Sequence, residues 1–226
     1  MKLTLSKRLT TISNHVYPYR YIIDIGTDHS LVPIFLVLNN MIDRAVAGDI
    51  SAQAVDNVKA LINDYGLTEK ISARLGNGLS VIDEDDRCDC LIIAGIGGGL
   101  ITRVLESGKS ILSRNKRLIL QANVNEKKVR HWLQENAYEI TAEEIIQENN
   151  VFYEIIVADK KDSCTSYSDK ELKYGPVLYK DKNELFREKW EEILKRKKRI
   201  YKKIPENSSK KLLFAREIKE IENMLK

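Results

Sequence analysis

The sequence predicts an α/β fold with a mostly parallel sheet, followed by a C-terminal α-helical hairpin. Short apolar runs recur along residues 1–159, and each of the first five is followed by a segment of helical periodicity. Most of these runs end in glycine or an acidic residue, as strands do at the ligand-binding edge of such sheets. Residues 160–226 instead contain a polar stretch and two long amphipathic segments joined by a short turn.

The first strand, predicted over residues 21–25, ends in the most informative turn of the chain. Asp24, Gly26 and Asp28 occupy alternate positions there, and His29 precedes the next helix. The glycine lets the backbone approach a ligand closely. A dinucleotide-binding turn needs three glycines, and a carboxylate repels pyrophosphate, so an NAD-dependent oxidoreductase is disfavoured. The cationic sulfonium and ammonium groups of S-adenosylmethionine (SAM) suit this turn better.

The next three strand ends contribute further polar and small residues. Asp49 closes the second strand and is either a ribose-binding carboxylate, which its distance in sequence from Asp24 favours, or a cap for the following helix. Asn77 and Gly78 follow the third strand, where an asparagine can both donate to and accept from a base edge, although they also suit an ordinary turn. The continuously apolar fourth strand ends at Gly95, the first of four glycines in five positions.

The fifth strand, predicted over residues 117–121, is followed by Ala122 and Asn123. After one more helix come two extended stretches, residues 139–147 and 151–158, which predict a β-hairpin. Five βα units followed by a hairpin match the seven-stranded sheet of class I SAM-dependent methyltransferases. A dinucleotide-binding sheet does not normally end this way.

The net charge of +4 is unevenly distributed. Residues 160–226 contain 20 Lys and Arg against 12 Asp and Glu, whereas residues 1–159 contain 17 against 21. A basic appendage on a mildly acidic domain predicts a nucleic acid as partner, with a merely solvated helical surface as the alternative. The candidate RNA-binding residues lie on the outer face of a first helix (residues 3–16) and at one end of the helical hairpin: Lys7, Arg8, Lys195, Arg196, Lys197, Lys198, Arg199, Lys202 and Lys203.

The remaining composition disfavours several other classes of protein. Three cysteines without a C-x-x-C pair indicate reduced thiols, with neither a disulfide framework nor a metal site. No apolar run is long enough to span a membrane, and the N-terminus lacks the apolar region of a signal peptide. We therefore expect a cytoplasmic protein without a metal, and nothing in the sequence indicates an obligate protein partner.

Five motifs at the predicted strand ends are specific when taken together. They are D-I-G-T-D-H at residues 24–29, G-D-I-S at 48–51, G-N-G-L at 76–79, A-G-I-G-G at 94–98 and L-Q-A-N at 120–123. With Y-G-P-V-L at 174–178 and the helical hairpin, they resemble the TrmK family of bacterial tRNA (adenine-22-N1)-methyltransferases over nearly the whole chain. One departure is Ala122, where the family usually has proline, so this loop lacks the fixed φ of that residue.

The resemblance implies that SAM is the methyl donor and tRNA the acceptor. It implies a Rossmann-like, SAM-binding catalytic domain over residues 1–159 and a basic, coiled-coil-like domain over residues 160–226 that helps to hold tRNA. The residues that match the SAM site of the family are Asp24, Gly26, Asp28, Asp49, Asn77, Gly78 and Gly95.

Methylation at adenine N1 mainly requires positioning, because the lone pair of an unpaired base attacks without first losing a proton. The candidate catalytic residues at the strand ends are Asp28, His29 and Asn123, since an acceptor there also stabilises a cationic product. Asp28 binds the methionine ammonium in the interpretation that we favour, and His29 can equally well pack on the sheet.

Two other functions stay open on the sequence alone. One is a SAM-dependent methyltransferase that acts on another RNA, a protein or a small molecule, of which the basic tail disfavours the protein and the small molecule. The other is a non-catalytic RNA-binding protein with a vestigial methyltransferase core. Calorimetry with SAM separates the second function from catalysis, because a vestigial core gives no saturable heat.

Overall fold

The computed structural model describes residues 3–26 and 31–226, which form two compact units. The first unit ends at Tyr179, and the second comprises Lys180 to Lys226. This division differs from the predicted boundary after residue 159, because a helix that follows residue 159 belongs to the first unit.

The first unit contains a seven-stranded sheet in the order β3-β2-β1-β4-β5-β7-β6. The first five strands run parallel, whereas β7 is antiparallel to both of its neighbours. This order confirms the predicted Rossmann-like methyltransferase sheet with its terminal hairpin. The strands are β1 (Tyr21–Ile25), β2 (Arg44–Asp49), β3 (Ile71–Leu75), β4 (Cys90–Ile96), β5 (Arg117–Ala122), β6 (Tyr138–Glu148) and β7 (Val151–Lys160).

Helices connect most of the parallel strands, as the βα pattern predicts, whereas the connection between β3 and β4 contains only a 3₁₀ turn. The first helix begins later than expected, because Ser6 caps it by accepting a hydrogen bond from the backbone N–H of Leu9. The helices are α1 (Lys7–Asn14), α2 (Leu31–Leu38), α3 (Ala52–Asp64), α4 (Gly98–Ser107), α5 (Lys109–Leu112), α6 (Glu126–Glu135), α7 (Asp169–Tyr174) and α8 (Pro176–Asp181), and a 3₁₀ turn spans Gly78–Val81.

The central strands are buried on both faces, which explains their continuous apolar runs. One core cluster contains Ile23, Leu91 and Leu118, whereas Ile22 and Ile119 belong to a second cluster. Because successive side chains of a strand point to opposite faces, these two clusters cover the two sides of the sheet. The ends of β1, β4 and β5 are therefore held in place by strands that are packed on both faces.

A buried ionic cluster joins the hairpin β6–β7 to the segment that follows it. Arg130 of α6 is fully buried; its Nε donates to Glu143 at 2.7 Å and its Nη2 donates to Glu154. The other oxygen of Glu143 accepts the backbone N–H of Val177 at 2.9 Å, at the start of α8. The stretch predicted as a polar linker, residues 159–175, contains the helix α7, whose Leu172 carbonyl accepts from Arg130 Nη1 at 3.4 Å.

The second unit is an antiparallel pair of helices, α9 (Glu184–Tyr201) and α10 (Ser209–Leu225), which confirms the predicted hairpin. Asn183 and Ser208 cap the two helices with their side-chain oxygens. The buried side chains between the helices are those of Phe186, Trp190, Ile221 and Met224.

None of the described helices is both long and apolar enough to cross a membrane. Within residues 3–26 and 31–226, no group of three or more His, Cys, Asp or Glu side chains is arranged to hold a metal ion.

Candidate active site

The carboxyl ends of the parallel strands meet at one edge of the sheet, where the predicted site residues lie. Asp24 is 7% exposed in β1, between β2 and β4. Gly26 donates its backbone N–H to the carbonyl of Gly48 at 2.9 Å, so the chain leaves β1 alongside β2. Asp28 and His29 lie outside the described residues, and their roles stay predictions.

Asp49 ends β2 beside the first turn of α3. Its Oδ1 accepts the backbone N–H of Ser51 at 2.7 Å, and the Ser51 hydroxyl in turn accepts the N–H of Ala54 at 3.3 Å. Ser51 is therefore the capping residue of the helix, and one oxygen of Asp49 orients it. The second carboxylate oxygen has the chemistry to accept a ribose hydroxyl, so the two interpretations of Asp49 are compatible.

Asn77 and Gly78 follow β3 at the same edge of the sheet. The backbone N–H of Asn77 donates to the Ser80 hydroxyl at 3.0 Å, while its side chain is exposed. A Cβ added at Gly78 would lie 3.0 Å from the side chain of Val104 in α4, so this position packs closely against the helix. The turn thus presents the asparagine amide at the strand end from a fixed backbone.

Gly95 forms a β-bulge at the carboxyl end of β4. Ala94 pairs with Gln121 and Ile96 with Ala122, so Gly95 is the extra residue between two ladder pairs. Its φ of +81° is one that other residues rarely adopt. Because the bulge removes the backbone N–H and C=O of Gly95 from the ladder, other groups must satisfy them.

Two side-chain amides satisfy the bulge. Gln121 Oε1 accepts the N–H of Gly95 at 3.2 Å, and Asn123 Nδ2 donates to its carbonyl at 2.6 Å. The two amides are also joined, since Gln121 Nε2 donates to Asn123 Oδ1 at 3.0 Å. Gln121 is fully buried, whereas Asn123 is exposed at the mouth of the site. The candidate catalytic residue Asn123 is therefore oriented by its neighbours, although Ala122 replaces the usual proline between them.

Arg8 also reaches this edge, which the sequence did not predict. Its Nη1 donates to Gln121 Oε1 at 2.9 Å, and its guanidinium carbon lies 5.5 Å from the ring centroid of Tyr153. The expected location on the outer face of the first helix is correct for the exposed Lys7 but wrong for Arg8, which is half-buried. Helical periodicity places the first atoms of a side chain but cannot show how far a long, flexible one extends.

Three large apolar side chains are exposed around the same strand ends. Ile50, Leu75 and Val124 are 70%, 59% and 58% exposed, and they lie at or near the carboxyl ends of β2, β3 and β5. Exposed apolar side chains beside oriented polar groups are typical of a ligand-binding surface. Sequence reasoning missed them, although their positions at predicted strand ends were a usable signal.

The predicted basic cluster lies on α9 and in the turn after it. Lys197 and Lys198 form ion pairs with Glu217 and Glu222 of α10 at 2.7 and 2.5 Å, so their charges are partly balanced. The other members of the cluster are exposed: Lys195, Arg196, Arg199, Lys202 and Lys203.

Known proteins resemble this chain over almost all of its length. The family model described as TrmK, tRNA (adenine(22)-N(1))-methyltransferase, matches residues 22–223. A Bacillus subtilis (strain 168) protein named tRNA (adenine(22)-N(1))-methyltransferase is 37% identical over 207 residues, which cover 90% of this chain and 87% of that protein.

Two solved structures extend the similarity to the fold. A putative tRNA (m1A22) methyltransferase of Streptococcus pneumoniae, in complex with S-adenosyl-L-methionine, is 33% identical with a TM-score of 0.91, covering 99% of this chain and 100% of that one. M. capricolum TrmK, in complex with S-adenosyl-homocysteine, is 28% identical with a TM-score of 0.88, covering 98% and 97%. The family match and the Bacillus subtilis relative together establish that this chain belongs to the TrmK family of tRNA (adenine(22)-N(1))-methyltransferases.

Proposed function

We infer that the chain transfers a methyl group from SAM to N1 of adenine 22 in tRNA, the activity for which its family is named. The bulge at Gly95 is the observation that best supports this function within the molecule. It opens the end of a central strand and places the exposed amide of Asn123 beside it. Methyl transfer requires that cofactor and base be held close together, and a backbone without a side chain beside an oriented polar group allows this.

The residues at the strand ends fit SAM. Gly95 is exposed, and the nearest group to a Cβ added there is the flexible side chain of Arg8 at 3.7 Å, so the backbone is open to a ligand. We propose that SAM is held by Asp24, Gly26, Asp28, Asp49, Asn77, Gly78 and Gly95. In this arrangement Asp49 accepts from the ribose hydroxyls, and the acidic groups of the first turn favour a cationic ligand.

When bound, SAM supplies an electrophilic methyl group that the N1 lone pair of an unpaired adenine attacks. The base needs no prior deprotonation, so the contribution of the protein is to orient it, which is worth roughly 7–11 kcal/mol in favourable cases. N1 is hydrogen-bonded inside a duplex, so the target must be unpaired or flipped out. We propose that Asn123 contacts the base, with Asp28 and His29 as the other candidates.

The basic end of the helical hairpin is proposed to bind tRNA phosphates, together with Lys7. When the exposed Lys and Arg side chains of that cluster neutralise phosphates, counterions are released from the nucleic acid, and this release favours binding. The cytoplasm is the proposed location, which the reduced state expected of the three thiols supports.

Mass spectrometry of nucleosides tests the reaction and its site in one experiment. Unmodified tRNA incubated with the protein and SAM should acquire N1-methyladenosine, and a matched transcript with guanine at position 22 should not. Methylation that persists in the second transcript would move the site elsewhere in tRNA. Saturable SAM binding without any methylated base would keep the cofactor but overturn tRNA as the acceptor.

A charge-removal variant tests the tRNA contact. Replacing Lys195, Arg196 and Arg199 together by Gln should weaken tRNA binding and lower the slope of log Kd against log salt by about 2. The matched control removes three lysines of the first unit: Lys59, Lys109 and Lys116. An unchanged slope in the first variant would exclude this part of the hairpin from the interface.

A further inference from the structure

We propose that Arg8 is a positioning residue for methyl transfer, which orients Asn123 through the amide of Gln121. This inference rests on the proposed function, since Asn123 matters only where a base is bound. It assigns Arg8 a role different from the phosphate contact that its charge and sequence position alone would predict.

The hydrogen bonds that join Arg8, Gly95, Gln121 and Asn123 can form with only one assignment of donors and acceptors. A guanidinium and a backbone N–H only donate, so the atom of Gln121 that faces both Arg8 and Gly95 must be its oxygen. The Nε2 of Gln121 is then turned toward Asn123, whose oxygen accepts from it. Asn123 Nδ2 consequently faces the carbonyl of Gly95, and the orientation of the exposed amide is determined.

Arg8 makes the stronger of the two hydrogen bonds that hold the Gln121 oxygen. Its bond is charge-assisted at 2.9 Å, whereas the neutral N–H of Gly95 lies at 3.2 Å. The guanidinium also packs against the ring of Tyr153 on β7, and this contact limits the movement of the Arg8 side chain. Loss of Arg8 would therefore leave the Gln121 oxygen with only the weaker hydrogen bond from Gly95.

The oriented amide retains capacity for a base. An asparagine side chain has two N–H donors and two acceptor positions on its oxygen, and among the described residues Asn123 uses one of each. The remaining acceptor suits the exocyclic amino group of adenine, which leaves N1 bare. Rotation of this amide by 180° would present a donor in place of the acceptor, and the base would be misplaced.

The charge of Arg8 argues for positioning and against direct stabilisation of the product. Among the residues that the structure describes, no carboxylate forms an ion pair with it, and its hydrogen-bond partner is the neutral amide of Gln121. A cation beside the site disfavours a cationic methylated base. The contribution of Arg8 to turnover must therefore come from its hydrogen bond and not from its field.

Kinetics of Arg8→Met and Arg8→Lys, measured with the full chain, separate these roles. Arg8→Met should lower kcat on the order of 10- to 100-fold, with the KM for tRNA and the salt slope of tRNA binding unchanged. Arg8→Lys, which keeps a donor, should restore part of kcat. The control Arg114→Met removes an exposed arginine at the amino end of β5, where Nη1 donates to the Glu84 carbonyl, and should leave kcat unchanged.

An unchanged kcat in Arg8→Met would overturn the inference. If the KM for tRNA were also raised and the salt slope of tRNA binding lowered, Arg8 would be a phosphate contact instead. A wild-type protein that methylates no tRNA would overturn the proposed function instead. The side-chain amide signals of Gln121 and Asn123 in ¹⁵N NMR test the network in either case, since they should shift in Arg8→Met and stay in place in Arg114→Met.

Discussion

Arg8 and Arg130 both reach the β5–β7 region of the sheet, and their surroundings differ in kind. Arg130 is fully buried between Glu143 and Glu154, whereas Arg8 is half-buried and donates to the neutral amide of Gln121. Tyr153, which packs on Arg8, and Glu154 are neighbours on β7, so they point to opposite faces of the sheet. The two guanidinium groups thus approach one strand from its two sides.

The difference shows how burial decides what an arginine can do. A fully buried guanidinium is costly without carboxylate partners, and its burial keeps it out of reach of a ligand. Burial raises the pKa of Glu143, and Arg130 opposes that rise. Arg8 keeps access to water, so it needs no carboxylate and can orient the neutral amide of Gln121 at the strand ends. The first site stabilises the fold, and the second serves the chemistry.

The largest expected effect is that of Arg130→Met, which removes the guanidinium that pairs with the buried carboxylates of Glu143 and Glu154. We expect the free energy of unfolding to fall by about 3–5 kcal/mol, measured by urea denaturation. Adding Glu143→Gln and Glu154→Gln to this variant should recover part of the loss, since no uncompensated charge then remains. A loss below about 1 kcal/mol in the single variant would contradict the buried-charge explanation.

Gly175→Ala should disturb the same cluster through the backbone. Gly175 has a φ of +90°, and a Cβ there would lie 2.5 Å from the Oε2 atom of Glu143. We expect a loss of about 2–3 kcal/mol in the free energy of unfolding, since strain and a displaced carboxylate add. Gly66→Ala is the control, because Gly66 has a φ of +65° but open space around it. Equal losses in the two variants would show that the contact with Glu143 is unimportant.

Arg74 and Asp86 provide an intermediate case, in which a buried carboxylate pairs with a partly exposed guanidinium. Burial opposes ionisation of Asp86, but hydrogen bonds from Arg74 and Tyr21 outweigh it and hold the pKa of Asp86 below its usual range. A lowered carboxyl pKa stabilises the fold above the unfolded-state pKa of about 4, and this contribution is lost as pH falls further.

Asp86→Asn should therefore cost about 1.5–2 kcal/mol at pH 7 and clearly less at pH 3, measured by urea denaturation at both values. Asp43→Asn removes the fully exposed partner of Arg20 and should have a smaller effect at pH 7. A difference between wild type and Asp86→Asn that stays constant with pH would exclude ionisation as its source.

The smallest expected effect on stability is that of Arg8→Met. The variant loses one hydrogen bond to Gln121 and one contact with the Tyr153 ring, so the free energy of unfolding should change by less than about 1 kcal/mol. A loss comparable to that of Arg130→Met would erase the contrast between the two arginines.

The strand ends were predictable because each carries its own local signal. Asp49 and Gly95 follow apolar runs directly, and parallel strands bring their carboxyl ends to one edge whatever the details of packing. The helix Asp169–Tyr174 was missed because it is short and polar, and it depends on packing against α6 more than on periodicity. The division of the chain after Tyr179 differs from the predicted boundary for the same reason.

By itself, the sequence determined which segments form the strands, the hairpin at the end of the sheet and which polar and glycine residues follow the strand ends. Periodicity and glycine spacing are local properties of the chain, so they can be read without knowing what packs where. Only the tertiary structure decided that Arg8 and Gln121 meet across 113 positions. It also decided that the bulge at Gly95 turns two side-chain amides into its hydrogen-bond partners, because such pairings depend on register and side-chain reach, which no local pattern records.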